Sequence, residues 1–214
     1  MKIWSLTSPV SHVLQPNLAP MPYQEQPFTL PELTGLSARQ IEAHLKLYAG
    51  YVKNTNALVD KIAELKADSE KNALALSELK RRFGFEFNGM RLHELYFEAL
   101  GGDGTMSGPL HDALTAQWGS VDNWLAEFKA LGLMRGIGWV LLVHDTKANV
   151  LHNIWVSDHE LGHLGDTRIL VAMDVWEHAY LLDYLPAQRA DYIGAYFQNL
   201  KWTVCEGRFA KARA

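Results

Sequence analysis

The sequence predicts an α+β fold in which an N-terminal helical hairpin domain precedes a C-terminal α/β domain with a small three-stranded antiparallel sheet. An apolar stripe with helical spacing begins after Ser37, and a glycine-rich linker follows at 101–108, where five of eight residues are glycine or serine. Beyond the linker, short strand-like segments alternate with helical ones. We therefore divide the chain into an N-terminal arm (1–35), a helical hairpin domain (36–104) and a mixed α/β domain (109–214).

The first half begins with a proline-rich arm that lacks periodicity and is expected to be extended. The first helix starts at Ser37, where "SARQ" has the pattern of a capping box, in which the Gln40 side chain returns to the helix start. Helical character is predicted to about Leu79, with the charged segment 66–82 as the solvated return arm of the hairpin. A third helix is predicted for "NGMRLHELYFEALGG", residues 88–102.

The second half mixes helices and strands. Two short helices are predicted first, and Ser120 caps the second of them. Three strands and a last helix follow along the chain. The predicted helices are 111–119, 120–133 and 189–202, and the predicted strands are 138–144, 149–156 and 168–175.

Composition excludes several classes of function. The chain has 20 basic and 24 acidic residues and no basic run, so we expect no nucleic-acid partner. We also expect no membrane span, because no segment approaches the ~18 apolar residues of a span. The N-terminal segment has no apolar core of signal length, so we expect no secretory leader. The single cysteine, Cys205, excludes an intramolecular disulfide framework and favours a cytoplasmic location, with the thiol buried as a small apolar group.

The run "AMDVWEHAYL", residues 172–181, places charged groups among aromatic and aliphatic side chains. Carboxylates are almost never fully buried unless they are paired or bound. Asp174 and His178 have a spacing that lets both reach one metal ion. The spacing alone is weak evidence, because a capping aspartate followed by a core histidine has the same pattern. The apolar surroundings are what favour a metal ligand.

Further ligands can come from His44 and His93, which lie on apolar helical stripes. One such histidine is usually a hydrogen-bonded core residue, but two of them together with Asp174 and His178 make four potential ligands for one metal ion. Three imidazoles and one carboxylate suit iron, manganese or zinc, with a position left open for water. The other histidines are interpreted as structural, in loops or on strand exteriors, or as uninformative: His12, His111, His144, His152 and His163.

These motifs resemble those of the iron/manganese superoxide dismutases. The family signature D-x-[WF]-E-H-[STA]-[FY] is met in full from Asp174 to Tyr180, and the similarity extends over roughly residues 29–209. The resemblance implies disproportionation of superoxide at one iron or manganese ion per subunit. It implies the same four ligands, His44, His93, Asp174 and His178. Zinc is excluded under this interpretation because it has no redox chemistry.

The resemblance also implies an outer shell around the ion. In most members a glutamine that bonds the metal-bound solvent comes from one of two positions, which here hold Gly89 and His159, and we assign His159 as the solvent partner. Trp139 and Trp176 match the tryptophans of the family's aromatic wall. Tyr51 matches the gateway tyrosine that relays protons, and it is expected to act with His159 in catalysis.

The family's quaternary structure places Glu177 against the ligand histidine of the other subunit. The resemblance therefore implies a homodimer or a dimer of dimers, bridged twice by Glu177 and His178. A different class of protein stays open as an alternative: a catalytically silent metal-binding protein with the same fold, acting as a structural or interaction module.

One departure concerns the gateway. Tyr51 follows His44 by seven residues, one fewer than is usual in relatives. Seven steps of ~100° return to nearly the same helix face, so we expect a straight helix where relatives have a one-residue bulge. Tyr48 is the competing gateway candidate. Arg189 is the candidate for the arginine that attracts the superoxide anion in relatives.

Overall fold

The protein is described by a computed structural model over residues 22–214. The first part of the predicted arm, residues 1–21, and with it His12, lies outside the described residues. Within the described range the α+β class is confirmed, with helices preceding a three-stranded sheet. The division into an arm and two domains stays a prediction.

The hairpin consists of two helices, α1 (Ala38–Leu65) and α2 (Ala73–Glu98), so the prediction of a separate third helix is wrong. The chain turns at 66–72, before the expected helix end near Leu79. Polar side chains cause this, because Asn72 Nδ2 donates to the Leu65 carbonyl and Asp68 accepts from the Lys71 amide. The return arm and the expected third helix are one continuous element.

The start of α1 differs from a capping box in one respect. Ser37 Oγ accepts from the Gln40 amide at 3.1 Å, as predicted. The Gln40 side chain does not return to Ser37. It is fully buried, its Nε2 donates to the His178 carbonyl at 2.6 Å, and its Oε1 accepts from the Leu182 amide at 3.0 Å. Gln40 therefore ties the start of α1 to the segment that contains the signature motif.

The second half begins with α3 (Pro109–Trp118) and α4 (Val121–Gly132), the latter capped by Ser120 as predicted. Three antiparallel strands follow in the order β2-β1-β3, with bounds Gly138–Asp145 for β1, Val150–Ser157 for β2 and Thr167–Asp174 for β3. Trp139 pairs with Asp174 across β1 and β3. This register places a tryptophan beside the aspartate of the signature.

The last helix of the prediction is two helices, α5 (Arg189–Gln198) and α6 (Trp202–Ala212). The break is caused by Asn199, whose Nδ2 donates to the Thr34 and Ala195 carbonyls. Its Oδ1 accepts from the Thr34 amide. An asparagine side chain that satisfies backbone groups in this way ends the helix and fixes the segment 32–36 on the core.

Helices of both halves and the sheet share one hydrophobic cluster, so the hairpin is held rigidly against β3. β1 is the central strand, and seven of its eight residues are buried. His144 on β1 is only 2% exposed and packs on the Phe209 ring, so its placement in a loop or on a strand exterior is wrong. Within residues 22–214, the helices lack the combination of length and apolar character that a bilayer crossing requires.

Candidate metal centre

Four elements each supply one of the predicted ligands. His44 lies on α1, His93 on α2, Asp174 at the end of β3, and His178 in a 3₁₀ turn at Glu177–Ala179. One nitrogen or oxygen from each residue lies within 4.8 Å of all the others. His44, His93 and Asp174 are fully buried, whereas the His178 side chain is 20% exposed.

The carboxylate is the centre of this cluster. Asp174 Oδ2 lies 3.1 Å from Nε2 of His44, 3.6 Å from that of His93 and 3.2 Å from that of His178. Asp174 Oδ1 accepts from the Trp176 amide at 2.8 Å, which fixes the carboxylate plane. Tyr192 donates to the Asp174 carbonyl at 2.7 Å and thereby holds the backbone at the strand end. The oxygen that faces the three imidazoles is therefore set by the fold.

The orientation of His93 fits a metal ligand. Its Nδ1 donates to the Gly89 carbonyl at 2.6 Å, which leaves Nε2 as the atom with the lone pair. Nε2 is buried without a hydrogen-bond partner among the described residues, and it faces the other three ligand atoms. A buried acceptor in this position costs free energy unless something binds it. A cation at the centre of the cluster would satisfy it.

The protonation states also fit. Burial lowers the pKa of His44 and holds that of His93 well below its ordinary value, and the neighbouring His44 lowers the latter further. Burial alone would raise the pKa of Asp174, but its electrostatic interaction with His178 and the hydrogen bonds of His178 and His44 hold it below its ordinary value. Neutral imidazoles and an ionised carboxylate are the forms that bind metal ions.

A second layer of contacts centres on His159, which is fully buried in the turn after β2. Trp139 Nε1 donates to His159 Nδ1 at 2.9 Å, and His159 Nε2 lies 2.7 Å from the Tyr51 hydroxyl. Because Nδ1 accepts, the proton of the neutral ring is on Nε2 and points at Tyr51. Burial lowers the pKa of His159 to about 4, so the ring stays neutral near pH 7.

The structure separates the two gateway candidates. Tyr51 contacts His159, whereas the Tyr48 hydroxyl lies 3.2 Å from Glu94 Oε1 and accepts from the Gln26 amide. The helix α1 is α-helical throughout, as expected from the seven-residue spacing. Tyr51 is therefore the tyrosine that faces the cluster.

Gly89 has a role that the sequence did not reveal. A Cβ built on Gly89 would lie 2.6–3.0 Å from three atoms of the Tyr51 ring. Real Cβ contacts of that length do not occur, so a side chain at this position would displace the ring. A glycine at residue 89 is thus what allows Tyr51 to lie against α2 and reach His159.

Aromatic rings close the site. Trp176 stacks on His159 and on His178, with ring centroids 4.9 and 5.5 Å apart, and its Nε1 donates to the Asp158 carbonyl. Phe85, which the sequence analysis missed, packs edge-on against His159 at 4.7 Å. The sequence feature that could have identified Phe85 is its position one helical turn before Gly89, which places both residues on the same helix face.

Several predicted residues lie at the edge of the site. Glu177 is exposed in the single chain, although its sequence neighbours are apolar. Arg189 does not face the cluster, because its guanidinium donates to the Met134 and Gly136 carbonyls and to the Tyr180 hydroxyl. His163 donates to the His159 carbonyl at 3.0 Å.

Asn88 was also missed, and its Nδ2 donates to the same His159 carbonyl at 2.9 Å. Together with His163 it holds the turn that carries His159. An asparagine in mid-helix, where its intrinsic propensity is low, was the signal that could have found it.

Comparison with known proteins agrees with this geometry. Residues 106–208 match the family model for the C-terminal domain of iron/manganese superoxide dismutases. A protein named superoxide dismutase [Fe] from Cupriavidus metallidurans is 41% identical over 184 residues, covering 85% of this chain and 92% of the relative. A superoxide dismutase [Mn] from Halobacterium salinarum is 35% identical, covering 77% and 82%. A superoxide dismutase [Fe] from Saccharolobus solfataricus is 30% identical, covering 77% and 80%.

The site has three imidazoles and one carboxylate from both halves of the chain, and the similarity extends over most of its length. The chain belongs to the iron/manganese superoxide dismutase family.

Proposed function

We propose that the protein disproportionates superoxide to dioxygen and hydrogen peroxide, using one iron or manganese ion held by His44, His93, Asp174 and His178. The observation that carries the proposal is the buried cluster of four ligand atoms within 4.8 Å, in a chain whose relatives are named superoxide dismutase [Fe] and [Mn]. Either ion, when bound, supplies reversible one-electron chemistry.

The ligand residues hold the cation and keep bulk water out. Because His44 and His93 are neutral and Asp174 is ionised, they place a single negative charge beside the ion, which limits its net charge in a buried site. Trp139 packs against His93 and Trp176 stacks on His178, and these contacts restrict the imidazole rings.

Tyr51 and His159 form the proton path. Reduction of superoxide to hydrogen peroxide consumes protons, which must pass between the aromatic rings that surround the site. Trp139 fixes the tautomer of His159, so the Nε2 proton points to the Tyr51 oxygen and the Tyr51 proton is free to point elsewhere. Tyr51 is half-buried and thus connects the interior to solvent.

The assembly is a homodimer or a dimer of dimers in which Glu177 meets the partner's ligand histidine. Glu177 borders a surface depression whose rim includes Leu133, Met134 and Ile137. All three of these apolar side chains are more than a third exposed in the single chain. An exposed apolar rim beside an exposed carboxylate supports an interface there.

The cytoplasm is the proposed location. Cys205 is the single cysteine of the chain, and it is free and buried. A chain without disulfides suits a reducing compartment.

The experiment that tests the function uses metal-free protein loaded separately with iron and with manganese. We expect one ion per chain and consumption of superoxide by at least one form. His93→Ala removes a ligand and should abolish both binding and turnover, whereas His144→Ala, at another buried histidine outside the site, should leave both unchanged. A full complement of ion without turnover would favour the silent metal-binding alternative and contradict the proposal.

A further inference from the structure

The opening of the site lies among three aromatic rings. His44, His93, Asp174, His159 and Trp139 are fully buried, whereas Tyr51, Phe85 and Trp176 are half-buried. The Phe85 ring centroid is 6.1 Å from that of Tyr51 and 6.4 Å from that of Trp176. On the side of His159, an anion from solvent therefore passes these three rings to reach the ligand cluster.

A guanidinium lies on the outer side of this opening. The Arg82 Cζ atom is 3.7 Å from the centroid of the Phe85 ring, a cation–π contact. The Arg82 side chain is 49% exposed, and its Nη2 lies 3.0 Å from Oε1 of Glu86, which is only 8% exposed. The pair is thus oriented, with the cation toward solvent and the carboxylate toward the protein.

Carboxylates also lie near the opening. Glu160 comes within 3.4 Å of the Cβ position of Gly84, and Asp158 precedes His159. Burial raises the pKa of Tyr51, the carboxylates Asp174, Glu86 and Asp158 raise it further, and the charge of Arg82 opposes them. Besides Arg82, the charged side chains that these contacts bring near the opening include the carboxylates Asp158, Glu86 and Glu160, on a chain whose formal net charge is −4.

We propose that Arg82 is the cation that attracts superoxide to the opening formed by Tyr51, Phe85 and Trp176. This inference rests on the proposed function for its substrate, but it concerns the approach of any small anion. Arg82 acts at a distance through its field and does not contact the ligand cluster. A positive charge at the mouth of a cleft raises the arrival rate of an anionic substrate, and that gain falls with ionic strength.

The test compares two arginines that are adjacent in the sequence. Arg82→Gln and Arg81→Gln change the net charge equally, and each arginine pairs with a glutamate, Arg82 with Glu86 and Arg81 with Glu78. The two differ in position, because the Arg82 guanidinium lies over the Phe85 ring at the opening. At about 0.01 M ionic strength, where the Debye length is about 30 Å, Arg82→Gln should lower kcat/KM by about 2- to 4-fold. At about 1 M, where it is about 3 Å, the two variants should match the wild type. Arg82→Lys should restore most of the loss.

Equilibrium binding of azide to the metal-loaded protein gives a readout that does not need turnover. Arg82→Gln should weaken azide binding at low salt by a similar factor, and Arg81→Gln should not. Equal effects of the two variants, a loss that persists at high salt, or failure of Arg82→Lys to restore would overturn the role of Arg82. Absence of turnover in the wild type would instead overturn the proposed function, and the azide measurement would still decide on Arg82.

Discussion

Gly89→Ala tests the steric relation between α2 and Tyr51. In an ordinary helix interior this change is favourable by about 1 kcal/mol, because alanine has the higher helix propensity. At residue 89 the new methyl would lie 2.6 Å from the nearest Tyr51 ring atom. The ring must move, and its hydroxyl then loses the 2.7 Å contact with His159.

The expected magnitude follows from these opposing effects. Overpacking of this kind costs about 1–3 kcal/mol. Loss of the Tyr51–His159 hydrogen bond adds about 1 kcal/mol. After subtraction of the helix gain of about 1 kcal/mol, we expect Gly89→Ala to lower the free energy of unfolding by about 1–3 kcal/mol.

The assay is denaturant unfolding of metal-free protein, with Gly207→Ala as the matched control. Gly207 lies in α6 with no atom within 4 Å of its Cβ position, so alanine there should raise the free energy of unfolding by about 1 kcal/mol. When Tyr51 is also replaced by alanine, Gly89→Ala should no longer lower the free energy of unfolding. If Gly89→Ala stabilised the protein as much as Gly207→Ala, the steric argument would be refuted.

Three further predictions concern other parts of the account. His159→Ala should lower the turnover rate and leave the metal content unchanged, and His159→Gln, which retains a donor for Tyr51, should recover part of the turnover. Elemental analysis and superoxide kinetics on the same samples measure both quantities, and a loss of metal equal to the loss of turnover would contradict this prediction. Burial raises the pKa of Cys205 to about 12. A thiol reagent should therefore fail to modify the folded protein at pH 8, and rapid modification would contradict the burial of this thiol. The stability that the thiol contributes should be present below its free pKa of about 8.5 and be lost as pH rises toward 12. Glu177→Ala should weaken the dimer by about 2 kcal/mol or more, seen as dissociation on dilution in sedimentation, and an unchanged dimer would place the interface elsewhere.

The four residues of the cluster could be predicted from the sequence because their chemistry conflicts with their surroundings. A carboxylate at Asp174 within an apolar run requires a partner, and the histidines on two apolar stripes supply one. The three strands were also predictable, because segments rich in β-branched and aromatic residues between turn residues favour β-strands.

Features that depend on distant contacts were not predictable. Gln40 matched a local capping pattern, but its side chain bonds His178 and Leu182, which are far along the chain. The hairpin turn at 66–72 depends on Asn72 and Asp68 competing for backbone groups within an otherwise helical pattern. Local pattern could not show which bonds these side chains would make, because burial decides that.

Both halves of the chain are expected to close around one redox-active ion. Anomalous diffraction from crystals of the purified protein, recorded at the iron and manganese edges, would locate that ion. We expect a single peak, at one edge or both, bounded by Nε2 of His44, His93 and His178 and by Oδ2 of Asp174. No peak at that position in a protein that contains either metal would contradict this expectation.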